Sequence, residues 1–205
     1  QDLLLLDDKK NREVTEAFRL LRTNIIHALS KNTENGNAIF ITSTTSEEGK
    51  TFIASSLAAS FASLNKKVLV IEANIRNPKI IHYLKGNSTN VTDVITNDPK
   101  HNFDVIGAGV LEGQYSELLN SKRFEDILDY GKLNYDYILV DTPAIHVDSD
   151  TLMLAKHADL FLYVVRANTL TENMLKIPKM LYENERLPHM HIVMNDTHYE
   201  AMGLT

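Results

Sequence analysis

Six short apolar runs punctuate the chain, and several of them lack any polar–apolar alternation. They read NAIFITS from Asn37, KVLVIEA from Lys67, FDVIGAG from Phe103, YDYILVDTP from Tyr135, LFLYVVRA from Leu160 and HIVMND from His191. An unalternating run of this length suits a strand covered on both faces, which is the setting of a parallel sheet flanked by helices. Helical stretches are expected between them, at residues 50–64, 78–84, 121–132, 148–156 and 171–184. This alternation predicts an α/β fold with a doubly wound, mostly parallel sheet and helices on both faces. Residues 85–102, KGNSTNVTDVITNDPKHN, are rich in turn formers and read as one long connection.

A chain of 205 residues can bury one sizeable core, so a single domain is expected over residues 1–205. The net charge of −6 gives no basic footprint and argues against a nucleic-acid partner. The absence of cysteine excludes disulfides and thiolate metal sites. No apolar run approaches the ~20 residues of a membrane helix, and the four leucines from Leu3 are too few. A cytoplasmic-type domain is expected, one that can be a piece of a longer chain.

Ahead of the first strand, Val14, Phe18, Leu21, Ile25 and Leu29 fall on one stripe at helical spacing. Glu16, Arg19 and Arg22 recur every three residues along another face. By itself that pattern reads as a solvated face with local Glu–Arg pairing.

The run ITSTTSEEGKTFIA, from Ile41 to Ala54, sets a strand, a loop ending Gly49-Lys50-Thr51 and a helix in succession. That is the context of a phosphate-binding loop, in which backbone N–H groups and the helix N-terminus face anionic phosphates. Lys50 can reach the β- and γ-phosphates, and the Thr51 hydroxyl can ligate Mg²⁺. Thr44 and Thr45 stand where the general motif has glycine, and Glu47 and Glu48 load the loop with acid. YDYILVDTP ends an apolar strand in Asp141, the form of a Walker B carboxylate that holds the magnesium shell. VLVIEANIRNP ends a third strand with Glu72 and Asn74, two apart, at the same carboxyl edge of the sheet. A carboxylate there can accept a proton from an attacking hydroxyl or water.

Together these motifs resemble the cytoplasmic domain of bacterial protein-tyrosine kinases, the BY-kinases of capsule and exopolysaccharide assembly within the P-loop ATPase superfamily. The resemblance runs from about Glu13 to Asp196. EAFRLLRTN resembles the family's E-x-x-R-x-x-R element, which implies that Glu16, Arg19 and Arg22 pack subunits into a ring. STTSEEGKT is similar to its Walker A, VLVIEANIRNP to its A′ motif and YDYILVDTP to its Walker B. The resemblance implies ATP or ADP with Mg²⁺, the metal near Thr51 and Asp141. It implies a catalytic set of Lys50, Glu72, Asn74 and Asp141. Nucleotide contacts are expected from Thr45, Ser46, Glu47, Glu48, Gly49, Lys50, Thr51, Phe52 and Asn195. The implied partners are further copies of the chain, a transmembrane activator on the same or a separate chain, and protein tyrosines. The implied location is the inner face of the cell membrane.

The family usually has Pro-Gly where this chain has Ser46-Glu47, and aspartates where it has Glu72 and Asn74. Transfer weaker than the family's is therefore expected. The family's tyrosine cluster is reduced here to one candidate acceptor, Tyr199, in a tail over residues 197–205. A MinD- or ParA-type switch ATPase shares the fold, but its second lysine would stand at Thr45. A kinase-like scaffold that binds nucleotide poorly is the other alternative, on the strength of Glu47 and Asn74. His189 and His191 have no third ligand type nearby, and Tyr135 and Tyr137 read as packing residues.

Overall fold

A computed structural model describes residues 12–29, 35–73, 90–107, 121–145 and 149–197. Seven strands form one sheet among the described residues: β1 Asn37–Ser43, β2 Val68–Glu72, β3 Ile95–Asp98, β4 Phe103–Ile106, β5 Tyr137–Asp141, β6 Leu160–Arg166 and β7 Met190–Asn195. Their order is β3-β4-β2-β5-β1-β6-β7, parallel throughout except for β3 against β4. Among the described residues four α-helices, α1 Arg12–Leu29, α2 Lys50–Ala62, α3 Lys122–Asn134 and α4 Glu172–Glu183, accompany it. Residues Ser149–His157 form 3₁₀ turns where an α-helix was expected over 148–156. The expected helix at 78–84 lies outside the described residues.

The unalternating strands are explained by burial on both faces. On β1, Phe40 belongs to the core shared with Phe124 and Ile127 of α3 and Leu181 of α4. Ile39 and Ile41 belong to the other core, with Leu57 and Phe61 of α2 and Phe18 and Ile25 of α1. The helical stripe behaves as expected: Phe18, Ile25 and Leu29 are buried, and Val14 and Leu21 pack at its margin.

Two expectations need correction. Residues 85–102 are not one loose connection. Their described part, from Asn90 on, holds a 3₁₀ turn at Val91–Val94 and the antiparallel edge strand β3, paired with β4 from Ile95↔Ile106 to Asp98↔Phe103. The turn formers do shape a turn, but a tight one. Asp98 Oδ1 accepts from the Lys100 and His101 N–H groups, and Asn102 takes a left-handed φ of 57°. A four-residue, mostly polar edge strand gives little periodic signal.

The second correction concerns Arg22. Glu16 and Arg19 form an exposed ion pair at 2.9 Å, but Arg22 is buried. Its Nη1 donates to the Ser60 carbonyl and to Ser60 Oγ and Ser63 Oγ, both at 3.2 Å, so it pins α1 to the end of α2. A helix of 3.6 residues per turn rotates positions 16, 19 and 22 progressively, and the third member of the series turns under.

Candidate functional site

The carboxyl ends of β1, β2, β5, β6 and β7 lie along one edge of the sheet, where an open α/β sheet binds its ligands. The loop from Thr44 to Gly49 leaves β1 there and delivers Lys50 as the first residue of α2. Gly49 has a left-handed φ of 96°, and a Cβ on it would lie 2.1 Å from Asn195 Nδ2. Both facts demand glycine at this position. The start of α2 has no side-chain cap and no acid in its first turn, so its end N–H groups remain suited to an anion.

The two loop glutamates differ in kind. Glu47 is exposed, with a φ of 65° in the left-handed region. It holds, at a cost of about 1–2 kcal/mol, the conformation that glycine would adopt freely. Its charge faces solvent and is screened there, which removes the main sequence argument for poor nucleotide binding. Glu48 is fully buried. Its Oε1 accepts from Thr45 N–H at 2.6 Å and Thr45 Oγ1 at 2.9 Å, and its Oε2 from Arg166 N–H at 3.3 Å. Its backbone carbonyl accepts from Asn195 Nδ2 at 3.0 Å. Glu48 therefore ties both ends of the loop to β6 and β7. Glu48→Ala would leave the Thr45 and Arg166 N–H groups without this acceptor, a loss on the order of 2 kcal/mol. The expected outcome is a Tm lower by several degrees with Glu48→Gln intermediate, read by calorimetry.

Lys50 folds back over the loop and is 5% exposed. Its Nζ donates to Ser43 Oγ at 2.8 Å and to the Thr45 carbonyl at 3.4 Å. Burial pushes its pKa down, against the opposing pull of Asp141 and Glu48. Thr51 Oγ1 donates to Asp141 Oδ2 at 2.6 Å. Burial, foremost, raises the Asp141 carboxyl to about 6; Glu72 adds to the rise, while the Thr51 bond and Lys50 oppose it. The other carboxylate oxygen, Asp141 Oδ1, is buried without a hydrogen-bond partner. An orphaned carboxylate oxygen beside a threonine hydroxyl is a hard-oxygen donor set that fits Mg²⁺. Register sets Glu72 directly beside Asp141 across β2 and β5, and Ala73 N–H donates to the Asp141 carbonyl.

The structure thus brings together Thr45, Glu48, Gly49, Lys50, Thr51, Glu72, Asp141 and Asn195. Ser46 and Glu47 sit exposed on the loop. Phe52 turns toward α1, its ring edge-on to Phe18 at 5.7 Å. Asn74 and Tyr199 lie outside the described residues. Sequence reasoning missed Ser43, which holds the Lys50 ammonium, and Arg166, which binds the Asp196 carboxylate through Nε and Nη2, both at 3.0 Å. The placement of Arg166 at the end of the buried strand β6 and of Asp196 just past the edge strand β7 was the available signal for that pair. Tyr137 stacks on Phe61 at 3.9 Å, and Tyr135 donates to Asp104 Oδ2 at 2.7 Å, so both serve packing.

The profile of the CobQ/CobB/MinD/ParA nucleotide binding domain matches residues 39–195. The tyrosine-protein kinase etk of Escherichia coli (strain K12) is 33% identical over 187 residues, which cover 84% of this chain and 25% of that protein. The chain therefore spans about a quarter of the length of that relative. The kinase domain of Escherichia coli tyrosine kinase ETK superposes with a TM-score of 0.81 at 27% identity, covering 95% of this chain and 81% of that one. The MinC:MinD cell division protein complex of Aquifex aeolicus is more distant, with a TM-score of 0.64 at 25% identity over 82% of this chain and 73% of that one.

Proposed function

The chain belongs to the CobQ/CobB/MinD/ParA nucleotide-binding domain family, and from that membership we propose that it is an ATP-dependent protein-tyrosine kinase domain acting in capsule or exopolysaccharide assembly. The observation that carries the proposal is the register of Glu72 beside Asp141, on the sheet edge that also bears Lys50 and Thr51. A carboxylate one strand over suits a group that removes a proton from an acceptor hydroxyl. An attacking water in a switch ATPase can use the same carboxylate, so the choice of a hydroxyl acceptor rests on the similarity to named kinases. Similarity to proteins named tyrosine-protein kinases, above that to MinD, supports the same reading.

In this mechanism the loop N–H groups and the start of α2 receive the phosphates of ATP. Lys50 leaves Ser43 and the Thr45 carbonyl to contact the β- and γ-phosphates. Thr51 and Asp141 would hold Mg²⁺, which when bound neutralises charge on the phosphate oxygens. Glu72 accepts the proton of the tyrosine hydroxyl as the phenolic oxygen bonds to the γ-phosphorus, the bond from that phosphorus to the β-phosphate oxygen breaks, and ADP leaves. A hydroxyl with a pKa of ~10 gains from such a base. The domain works at the inner face of the cell membrane with a transmembrane activator, and Tyr199 is its candidate acceptor.

Glu72 carries one methylene more than aspartate, and a misplacement of about 1 Å can cost roughly a hundredfold in rate. Asn74 adds no charge to the metal shell. Transfer by the native chain is therefore slow, and Glu72→Asp with Asn74→Asp is expected to speed it. A time course with γ-labelled ATP and a tyrosine acceptor measures this. No label on tyrosine from either protein would overturn the kinase reading.

Subunit contact is assigned to the exposed Glu16 and Arg19, with Arg22 holding their helix in place. Arg19→Ala is expected to lower the mass seen by light scattering with Tm unchanged. Arg22→Ala is expected to lower Tm as well, because it empties the α1–α2 contact.

A further inference from the structure

A second cleft opens at the amino ends of β2 and β4, on the sheet edge opposite the phosphate loop, between the C-terminal ends of α2 and α3. It has a volume of about 430 Å³, and Asn65, Lys67, Asn97, Asn102, Tyr130 and Asn134 line it. No described residue of α1 does. We propose that this cleft binds an uncharged saccharide, with one pyranose ring in the corner between Tyr130 and Tyr135.

Four amides converge on one space, and each amide both donates and accepts. A hydroxyl does the same, so amides and sugar hydroxyls satisfy one another in either direction. Asn65 and Asn102 stand in the turns that enter β2 and β4, with left-handed φ of 58° and 57°. Their backbone N–H groups bond to the Ala62 and Asp98 carbonyls, and their side-chain amides make no hydrogen bond among the described residues. The wall behind them is fixed. Tyr135 donates to Asp104 Oδ2 at 2.7 Å, and Asn97 Nδ2 to Asp104 Oδ1 at 2.8 Å. The Tyr130 and Tyr135 rings meet at 59°, with centroids 6.4 Å apart. A half-exposed aromatic corner takes the C–H side of a pyranose, because a ring face is electron-rich and those hydrogens are slightly positive.

Charge decides the class of ligand. Lys66 pairs with Asp136 at 3.6 Å, and Lys67 shares the cleft with the Asp104 carboxylate. The ends of α2 at Ala62 and of α3 at Asn134 add the negative potential of helix C-termini. Neither a guanidinium nor a helix N-terminus, the groups that favour phosphate, stands among the described residues of the cleft. The volume lies within the range of small-molecule sites.

The cleft carries the ligand class; that the saccharide is a unit of an exported polymer rests on the kinase reading. The native chain, without nucleotide, is titrated with cellobiose, maltose and lactose, and with inorganic phosphate as the charged control. Concentrations reach ~10 mM, above the ~1 mM dissociation constant expected of a small ligand in an open cleft. Tyrosine ring resonances, asparagine side-chain resonances and calorimetry report binding. At least one disaccharide is expected to shift the Tyr130 ring where phosphate does not. Tyr130→Ala should lose tenfold or more in that affinity and keep its affinity for MgATP. Asn65→Asp, a residue that tolerates the same left-handed turn, should weaken the sugar as well and decides the matter if Tyr130→Ala fails to fold. No shift with any of the three sugars, phosphate bound as tightly as they are, or sugar binding that the folded variants retain overturns the proposal. A Tyr130 shift that follows protein concentration alone assigns the cleft to a second copy and overturns it too. Saccharide binding without tyrosine transfer by the native chain would overturn the kinase reading and leave the site standing; transfer without saccharide binding would do the reverse.

Discussion

Lys50→Met is expected to reduce phosphoryl transfer by ~10²–10³-fold and to weaken MgATP binding, with the fold intact. Transfer needs a cation against the β- and γ-phosphates, and Lys50 is the cation at the start of α2 on this loop. The native side chain is held by Ser43 Oγ and the Thr45 carbonyl in a site from which solvent is nearly excluded. Burial works against its charge there, as its lowered pKa shows. Methionine has similar length and no charge to desolvate, so its loss of two hydrogen bonds is offset in part. Tm should therefore change little while transfer collapses. Calorimetry with MgATP and a γ-label assay, run on the same preparation, check both halves. Unchanged affinity and transfer would remove the loop from the mechanism.

The interior of the sheet was legible because β1, β2, β5 and β6 are buried on both faces. NAIFITS and LFLYVVRA have no polar face to hide, so their apolar runs mark a parallel interior directly. β3 was not legible, because a four-residue edge strand with exposed Thr96 and Asn97 resembles a loop in composition. At the site, residue types with one dominant chemistry were placed correctly along the sheet edge: Lys50, Thr51, Asp141 and Glu72. The two loop glutamates could not be told apart by type. Whether a carboxylate faces solvent or the protein depends on β6 and β7, more than a hundred residues away, and Glu48 faces inward because Arg166 N–H meets it there. Arg22 failed for a related reason: spacing gives its angle on α1 but not the serines of α2 that receive it.

Asp141→Asn is expected to flatten part of the pH dependence of stability and to reverse its rank against the native chain when MgATP is added. Burial lifts the folded carboxyl to about 6, against 3.8 for the free group. Between those pH values the folded state binds more protons than the unfolded state. Stability from this group is therefore full below about pH 4 and falls as pH rises through 6. The difference of about 6 less 3.8 corresponds to roughly 3 kcal/mol at neutral pH. Asparagine has no such titration. It can keep the Thr51 bond through its carbonyl oxygen but sets an amide where Oδ1 is orphaned, at a cost of about 1–3 kcal/mol. Nucleotide-free Asp141→Asn at pH 7.5 should then be more stable than the native protein by about 1 kcal/mol, and near pH 4, where only the amide cost remains, less stable by about 1–3 kcal/mol. With MgATP present the native protein gains stability from its ligand and the variant gains little. Thermal melts at pH 4 and 7.5, each with and without MgATP, check both parts. Parallel pH profiles would mean that Asp141 is ionised and well solvated when the site is empty. Equal stabilisation by MgATP would mean that the carboxylate does not serve the nucleotide.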